Sequence, residues 1–552
     1  MITTPEFRVG VDIGGTFTDI VFLAPDGTLL TRKVSSTVDD YAKAIATSLA
    51  EIFSTTNIQP ENIGELLHGT TVASNAILEM AGARTGLITT EGFRDVLELR
   101  TLRMPRLYDI SWEKPEPLVP RYLRKGVRER IDARGNVEQP IDCEQVARVV
   151  DELLQSGVET IAVCLINSFA YPGHEQLIGK IIEEKAPGFP YCLSVNVLPE
   201  IKEYERTSTT VINAYLLPVV SKYLNSLISE LGSCKVTAPL LLMQSNGGLT
   251  SAQRSIKLPC NIIESGPAGG VVGAHALATK LELGDVVTFD MGGTTAKASL
   301  IERGEYSRAV DFSVGAGIMS GSRLLTGAGY RLKVPAIDLA EVGAGGGSII
   351  SVDAGGAMVV GPKSAGANPG PACYGLGGKL ATVTDANVIL GYLNPKYLVG
   401  GAVEIKAELS RQAIMDAVAI PMELAIERAA YGAHQIAAAN MIRAIKAVSS
   451  ERGRDPRRYS LFAFGGNGPL FAATMAQALG MQQIVIPPAP GLFSSFGLLY
   501  ADVEHHYSRT HRRILRKADP HELQEAWLEL ENQAREQLKG DGFPEERISL
   551  SR

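Results

Sequence analysis

The chain has 552 residues, too many for one hydrophobic core, so two or more domains with a cleft between them are expected. A net charge of -7, with basic and acidic residues interspersed, leaves no electrostatic footprint for nucleic acid or an anionic membrane and makes small molecules the expected partners. Six cysteines without a CxxC spacing fit a reducing, cytoplasmic setting, and neither a signal-peptide pattern nor a membrane-spanning apolar run of about 18 residues occurs.

In chain order, Val9, Val11 and Ile13 alternate with Gly10, Asp12 and Gly14, and "FTDIVFLA" then runs to the "PDG" turn. This predicts a β-hairpin with the Gly14–Gly15 pair at its tip. Helices and strands alternate afterwards: "CEQVARVVDELLQSG" (helix), "TIAVCLI" (strand), "EQLIGKIIEEKA" (helix) and "YCLSVNV" (strand). Such alternation is α/β architecture. A helix begins near "IKEYERTSTTVINAYLL", with Pro218 expected to kink or restart it. The strand "PLLLMQS" follows, then a helix after "ESGPAGG" in which Ser265 is a candidate cap and Pro267 falls in the first turn. "DVVTFDMGGTTAKASLIERG" repeats the opening hairpin, with Gly292 and Gly293 at its tip. A Gly-rich stretch (314–378), an Ala-rich helix (422–450), the strand "YSLFAF", the loop "GGNGP", the strand "QIVIPP" and an amphipathic helix (522–540) complete the pattern. The division expected from this pass is 1–200, 201–505 and a shortened helical segment, 506–552.

Why the Asp-x-Gly-Gly-Thr phrase occurs twice is the functional question. Glycines beside an Asp and several Thr present backbone N–H groups and hydroxyls to phosphate oxygens, and the carboxylate can hold Mg²⁺ directly or through water. One copy is also explained as an ordinary glycine turn. Two copies heading two α/β halves would point both tips into one cleft, around a β/γ-phosphate and its metal. Neither GxxxxGK[ST] nor GxGxxG is present, which disfavours the P-loop and dinucleotide-binding readings.

The paired hairpins resemble the actin, hexokinase and sugar-kinase superfamily, which implies duplicated RNase H-like domains around an ATP cleft. On that resemblance Asp12, Gly14, Gly15, Thr16 and Thr18 form the first phosphate motif, and Asp290, Gly292, Gly293, Thr294 and Thr295 the second. The loop holding Gly465, Gly466 and Gly468 would sit at the adenosine, and Asp12 and Asp290 become the expected catalytic and Mg²⁺-holding residues. Further phrases, among them "HGTTVASNAILE", "ERTSTTVINAYLLPVV", "ESGPAGGVVGA", "EVGAGGGSI", "GPKSAGANPGPACYGLGG" and "PPAPGLFSSFGLLYADV", are similar to the hydantoinase A family from about residue 8 to 505. That family includes ATP-dependent hydantoinases, 5-oxoprolinase, caprolactamase and subunits of acetone and acetophenone carboxylases. The resemblance implies ATP-dependent phosphorylation of a cyclic amide's carbonyl oxygen, with ring opening completed by a B-type partner subunit in an oligomer. The alternatives are a carboxylase subunit activating a ketone or bicarbonate, a sugar-kinase-like enzyme, and a non-enzymatic nucleotide binder.

Single residues carry two readings each. Lys297 is placed to reach a phosphate or to lie solvated on its strand. His68, with Thr70, Thr71 and Asn75, would orient substrate or act as a structural hydrogen-bonder. Arg206 and Thr207, Asp338 and Glu341, and Asp385 adjoin glycine loops or helix starts, where capping explains Asp385 almost as well. The adjacent His505 and His506 have poor geometry for one metal and are assigned none. Departures from the family pattern stand at Asn467 and Phe471 of the adenosine loop and at Ala340, where many relatives carry His. A C-terminal domain common in relatives is expected to be absent. No His/Asp/Glu cluster or Ser-His-Asp arrangement is visible that would activate a water.

Overall fold

The computed structural model describes residues 7–14, 17–35, 41–56, 58–101, 108–315, 329–398, 401 and 403–552. Gly15 and Thr16 lie outside the described residues. The fold is mixed α/β, built on two large sheets. The first sheet runs in the order Leu249–Ser251, Leu240–Met243, Ile63–Thr70, Phe7–Ile13, Phe17–Leu23, Leu29–Ser35. Its last three strands form an antiparallel meander, and Ile63–Thr70 and Leu240–Met243 add on in parallel beside the opening strand. In the second sheet Glu305–Tyr306, Ala296–Glu302 and Val286–Met291 form the meander, and Ser460–Phe464 and Ile484–Val485 add on in parallel. The repeated phrase therefore heads two sheets of one strand order.

Burial on both faces explains the apolar runs: Val9, Val11 and Ile13 are fully buried, as are Val286, Val287 and Phe289. The first core is covered by helices Tyr41–Thr55 and Glu203–Ser233, the second by the Ala-rich helix Ile426–Val448. Alanines 429, 430, 433, 437, 438, 444 and 447 make up most of that helix's buried face, so it can lie close against Ala296–Glu302. A smaller parallel sheet, Tyr191–Leu193, Thr160–Cys164, Thr85–Thr90 and Arg124–Val127, extends the first half. Helices Cys143–Gln155 and Gly173–Lys185 pack on it, the former capped by Asp142, which accepts from the Gln145 N–H.

One expectation is corrected. Pro218 does not interrupt its helix, which runs unbroken from Glu203 to Ser233 because apolar and small polar residues from Tyr204 to Leu231 are buried along it. This helix is long and apolar enough to cross a bilayer by composition, yet here it packs within the first core. Beyond the division expected at 200, Glu203–Ser233 and Leu240–Met243 also pack in the first sheet's layer. Sequence alternation has no means of showing that a strand forty residues on returns to an earlier sheet. The helix at the end, Pro520–Gly540, buries only Ala534.

The two halves meet on one helix, Ser265–Lys280. Ala268, Val271 and Val272 pack with Val21 and Leu67 of the first sheet, while Ala274 and Ala278 pack with Val286 and Phe462 of the second. The short helix Phe493–Leu498 crosses it so closely that a Cβ on Gly497 would stand 1.9 Å from the Gly269 carbonyl oxygen. Glycine at 497 is a packing requirement.

Candidate active site

Both hairpins open onto one cleft of about 1220 Å³. Asp12, Gly14, Asp290, Gly292, Gly293, Thr294, Thr295 and Lys297 line it, together with Gly465 and Gly466. The structure thus brings together most of the phosphate residues predicted from the repeat. Thr18 is an exception: it is fully buried in the strand after the tip and does not line the cleft. Gly468 begins the helix behind the loop and does not line it either.

Pairing across the strands fixes the charges. Asp12 stands opposite Asp19, which stands opposite Lys33, and the next strand on the other side places Gly69 beside Asp12. In the second sheet Asp290 stands opposite Lys297, which stands opposite Glu341. Lys33 Nζ donates to Asp19 Oδ1 at 2.5 Å and to the Gly491 carbonyl at 3.0 Å. Lys297 Nζ lies 3.1 Å from Glu264 Oε2 and 3.6 Å from Glu341 Oε1.

Burial pushes Asp12 up to about 7; Asp19 and Asp290 add to the rise, and Lys33 and Lys297 oppose it. Its Oδ1 is buried and has no hydrogen-bond partner among the described residues. Asp290 is pushed up to about 6, again by burial, with Lys297 opposing and Asp19 adding. Asp19 and Glu264 are raised mainly by burial, and Lys297 is raised because Glu264 and Glu341 outweigh its desolvation. A concentration of carboxylates held above their ordinary range in one cleft is a functional signature.

Glycine is required where backbone meets these carboxylates. A Cβ on Gly69 would stand 2.5 Å from Asp12 Oδ1, and one on Gly465 2.3 Å from Asp290 Oδ1. Gly465 also has φ +82°, the left-handed region. The second tip is held from behind, where the Gly346 and Gly347 N–H groups donate to the carbonyls of Gly292 and Gly293 at 3.1 and 2.7 Å. Asn467, one of the departures noted in the sequence, donates from Nδ2 to the Gly292 carbonyl at 3.2 Å and so ties the "GGNGP" loop to the tip.

The expected substrate residues divide. Thr71 lines the cleft, as does Asn75. His68 does not: its Nδ1 and Nε2 meet the Val11 carbonyl at 3.0 Å and the Tyr223 hydroxyl at 2.7 Å, and burial pulls its pKa down to about 4. It is a structural hydrogen-bonder. Thr70 is buried, exchanging hydrogen bonds with Ser265: its N–H donates to Oγ at 3.0 Å and its carbonyl accepts from Oγ at 2.8 Å. Ser265 therefore ties the helix to the first sheet and does not cap it. Arg206 is buried in the smaller parallel sheet's layer, donating to the Leu165 carbonyl and to the hydroxyls of Ser168 and Ser194. Asp385 is fully buried, closing a capping box with Thr382 and accepting from the N–H groups of Ala372 and Cys373. It shapes the loop that brings Pro371 and Tyr374 to the cleft wall without reaching the cleft itself. Glu341 acts on the site only through Lys297.

Sequence reasoning missed Asp19, Lys33, Glu264 and Thr384. The repeat contained the signal for the first: seven residues separate Asp12 from Asp19 and Asp290 from Lys297, so the two phrases align Asp19 with Lys297.

Comparison with known proteins agrees with this geometry. Residues 8–186 match the hydantoinase/oxoprolinase N-terminal region, and residues 206–507 match hydantoinase/oxoprolinase. An uncharacterised protein of Methanocaldococcus jannaschii is 39% identical over 97% of this chain and 78% of its own length. The caprolactamase alpha subunit of Pseudomonas jessenii is 35% identical over 98% and 77%, and the acetophenone carboxylase gamma subunit of Aromatoleum aromaticum 33% over 92% and 69%. Among solved structures, the ATP-dependent caprolactamase of Pseudomonas jessenii superposes with TM-score 0.80 at 33% identity, over 97% of this chain and 77% of that one. Nucleotide-free acetone carboxylase, from work on ATP-dependent acetone carboxylation, superposes with TM-score 0.81 at 27% identity, covering 99% and 78%. With two matched segments spanning most of its length and two carboxylate-lined hairpins in one cleft, the chain belongs to the hydantoinase/oxoprolinase family.

Proposed function

We propose that the chain binds ATP with Mg²⁺ between its two hairpins and phosphorylates the carbonyl oxygen of a cyclic amide, which is then opened by water with a partner subunit. The observation that carries this reading is that Asp12 and Gly14 of the first hairpin and Asp290, Gly292 and Gly293 of the second line one cleft from two sheets of the same strand order. That shared order supports a duplicated RNase H-like core. The residues fit a divalent cation: Asp12 Oδ1 is buried without a partner among the described residues, and the Asp290 carboxylate adds to the rise of the Asp12 pKa. Asp12 and Asp290 would hold Mg²⁺, which supplies neutralisation of phosphate charge when bound. The backbone around Gly292 and Gly293 and the hydroxyls of Thr294 and Thr295 would receive phosphate oxygens, and the 465–467 loop the nucleoside. An amide carbonyl is a poor electrophile, and phosphorylation of its oxygen creates a leaving group. The chain's own contribution to that step is position and charge.

The partner follows from the company this chain keeps: its relatives are named as alpha and gamma subunits. Similarity to acetophenone and acetone carboxylases favours a second reading, in which the same cleft activates a ketone or bicarbonate. The test follows ADP and ring-opened acid from hydantoins, 5-oxoproline and lactams, and ADP from ketones with and without bicarbonate. Each arm is run with the purified chain alone and with a B-type subunit. ADP release with little acid, coupled to ring opening by the partner, is the expected result. Bicarbonate-dependent turnover with ketones alone would replace the hydrolase reading, and no ATP turnover in any arm would remove both.

A further inference from the structure

Lys297 is the cleft's cation on the second sheet, yet its ammonium faces two carboxylates from different parts of the fold. Glu341 comes from the neighbouring strand of its own sheet. Glu264 comes from the residue before helix Ser265–Lys280, whose first turn is tied to the first sheet through Ser265 and Thr70. That turn also abuts the first aspartate: a Cβ on Gly266 would stand 3.2 Å from Asp12 Oδ1. The Lys297–Glu264 pair, 3.1 Å long and largely buried, thus joins the second hairpin to the turn that flanks the first. With Glu341 at 3.6 Å, one ammonium is shared by two carboxylates. A polyphosphate in the cleft would bring several more negative oxygens, and a flexible lysine is a point charge that redistributes among anions.

We propose that Glu264 is a positioning residue that, with Glu341, sets where the Lys297 ammonium stands, and that phosphate binding draws the ammonium from these carboxylates into the cleft. The inference rests on the nucleotide reading above. It makes the Lys297–Glu264 pair a coupling element: occupancy of the cleft loosens the tie between the second hairpin and the Ser265–Lys280 helix. It also makes Glu264 a competitor of the phosphates, whose removal strengthens nucleotide binding while leaving the lysine poorly placed for turnover.

The test is a double-mutant cycle on the full chain, reading MgATP affinity by calorimetry and turnover separately. E264Q is expected to bind MgATP about tenfold more tightly, as release of the Lys297 ammonium from a competing carboxylate predicts, with a lower kcat, and E264D to restore parental behaviour. In a K297M background, E264Q is expected to change affinity much less than in the parental chain. Equal changes in both backgrounds, or E264Q with unaltered affinity and kcat in a chain that binds MgATP, would overturn the positioning role. Should E264Q fail to fold, E341Q completes the same cycle from the other side of the lysine, with the same outcomes deciding. A parental chain with no affinity for MgATP would instead overturn the nucleotide reading on which this inference depends.

Discussion

The two hairpins share a phrase and a strand order, but their charges run differently across the sheet. The first row reads Asp12, Asp19, Lys33, and the second reads Asp290, Lys297, Glu341. In the second row the cation lies beside the cleft aspartate and tempers the cost of burying it. In the first, the neighbour is another carboxylate and the cation stands one strand further away. Burial holds both aspartates above their ordinary range, and Asp12 has in addition an oxygen without a hydrogen-bond partner among the described residues. Each row holds two carboxylates and one ammonium, but the order differs: one wall sets the cation beside the cleft aspartate, and the other sets a second carboxylate there. Unsatisfied charge costs the apo protein stability and creates affinity for a cation.

The comparison is broken most directly by neutralising each aspartate. Asp12→Asn and Asp290→Asn are each expected to lower ATP turnover roughly 10²- to 10³-fold, the usual cost of losing one electrostatic partner at such a site. Each removes a buried carboxylate held above its ordinary range and should raise the melting temperature without nucleotide, Asp290→Asn less than Asp12→Asn because it also leaves Lys297 with one fewer carboxylate. Near-parental turnover in either variant would withdraw that residue from the site, and equal shifts in melting temperature would erase the asymmetry.

Backbone contact offers the next test. Gly465→Ala forces a Cβ against Asp290 at a left-handed φ, and Gly69→Ala forces one against Asp12 in an extended strand. We expect both to destabilise, by about 1–3 kcal/mol in chemical denaturation, with Gly465→Ala the worse because strain adds to the clash. A smaller loss at 465 than at 69 would mean that the second loop yields where the first strand does not.

A third prediction neutralises one charge of the first row. Asp19→Asn removes a carboxylate beside Asp12 and is expected to weaken divalent-cation binding severalfold with a smaller effect on folding. Calorimetry with Mg²⁺ and ATP checks it, and unchanged affinity would show that Asp19 serves only Lys33.

The last prediction is a pH dependence that separates two neighbours in the first sheet. Native His68 resists protonation down to about 4, while its unfolded counterpart binds a proton below about 6.5. Between these values the unfolded state binds more protons, so this contribution is complete above 6.5 and is lost as pH falls toward 4, up to about 3 kcal/mol. Asp12 has the opposite sign. Its native carboxyl keeps a proton up to about 7, the unfolded one only to 3.8, so its contribution favours the fold at low pH and is lost as pH rises through that window. Urea titrations of His68→Asn and Asp12→Asn between pH 4 and 7 should therefore change the slope of stability against pH in opposite directions. Parallel slopes would refute both assignments.

The sequence by itself determined what is local and repeated. Alternating apolar residues gave the hairpins, helical periodicity gave Cys143–Gln155 and Ile426–Val448, and the doubled phrase located Asp12, Gly14, Asp290, Gly292 and Gly293 at one cleft. Spacing within a strand fixes which face a residue takes, so such features are readable without a partner in view. Tertiary structure alone decided the rest. Leu240–Met243 returned to the first sheet, and neighbouring strands, loops and helices took up hydrogen bonds of His68, Arg206 and Asp385 away from the cleft. Lys297 acquired its two carboxylates from a distant helix start and a distant strand. These outcomes depend on which segments of a long chain come to lie side by side, and a polar residue's role is set by whichever neighbour meets it first in the folded state.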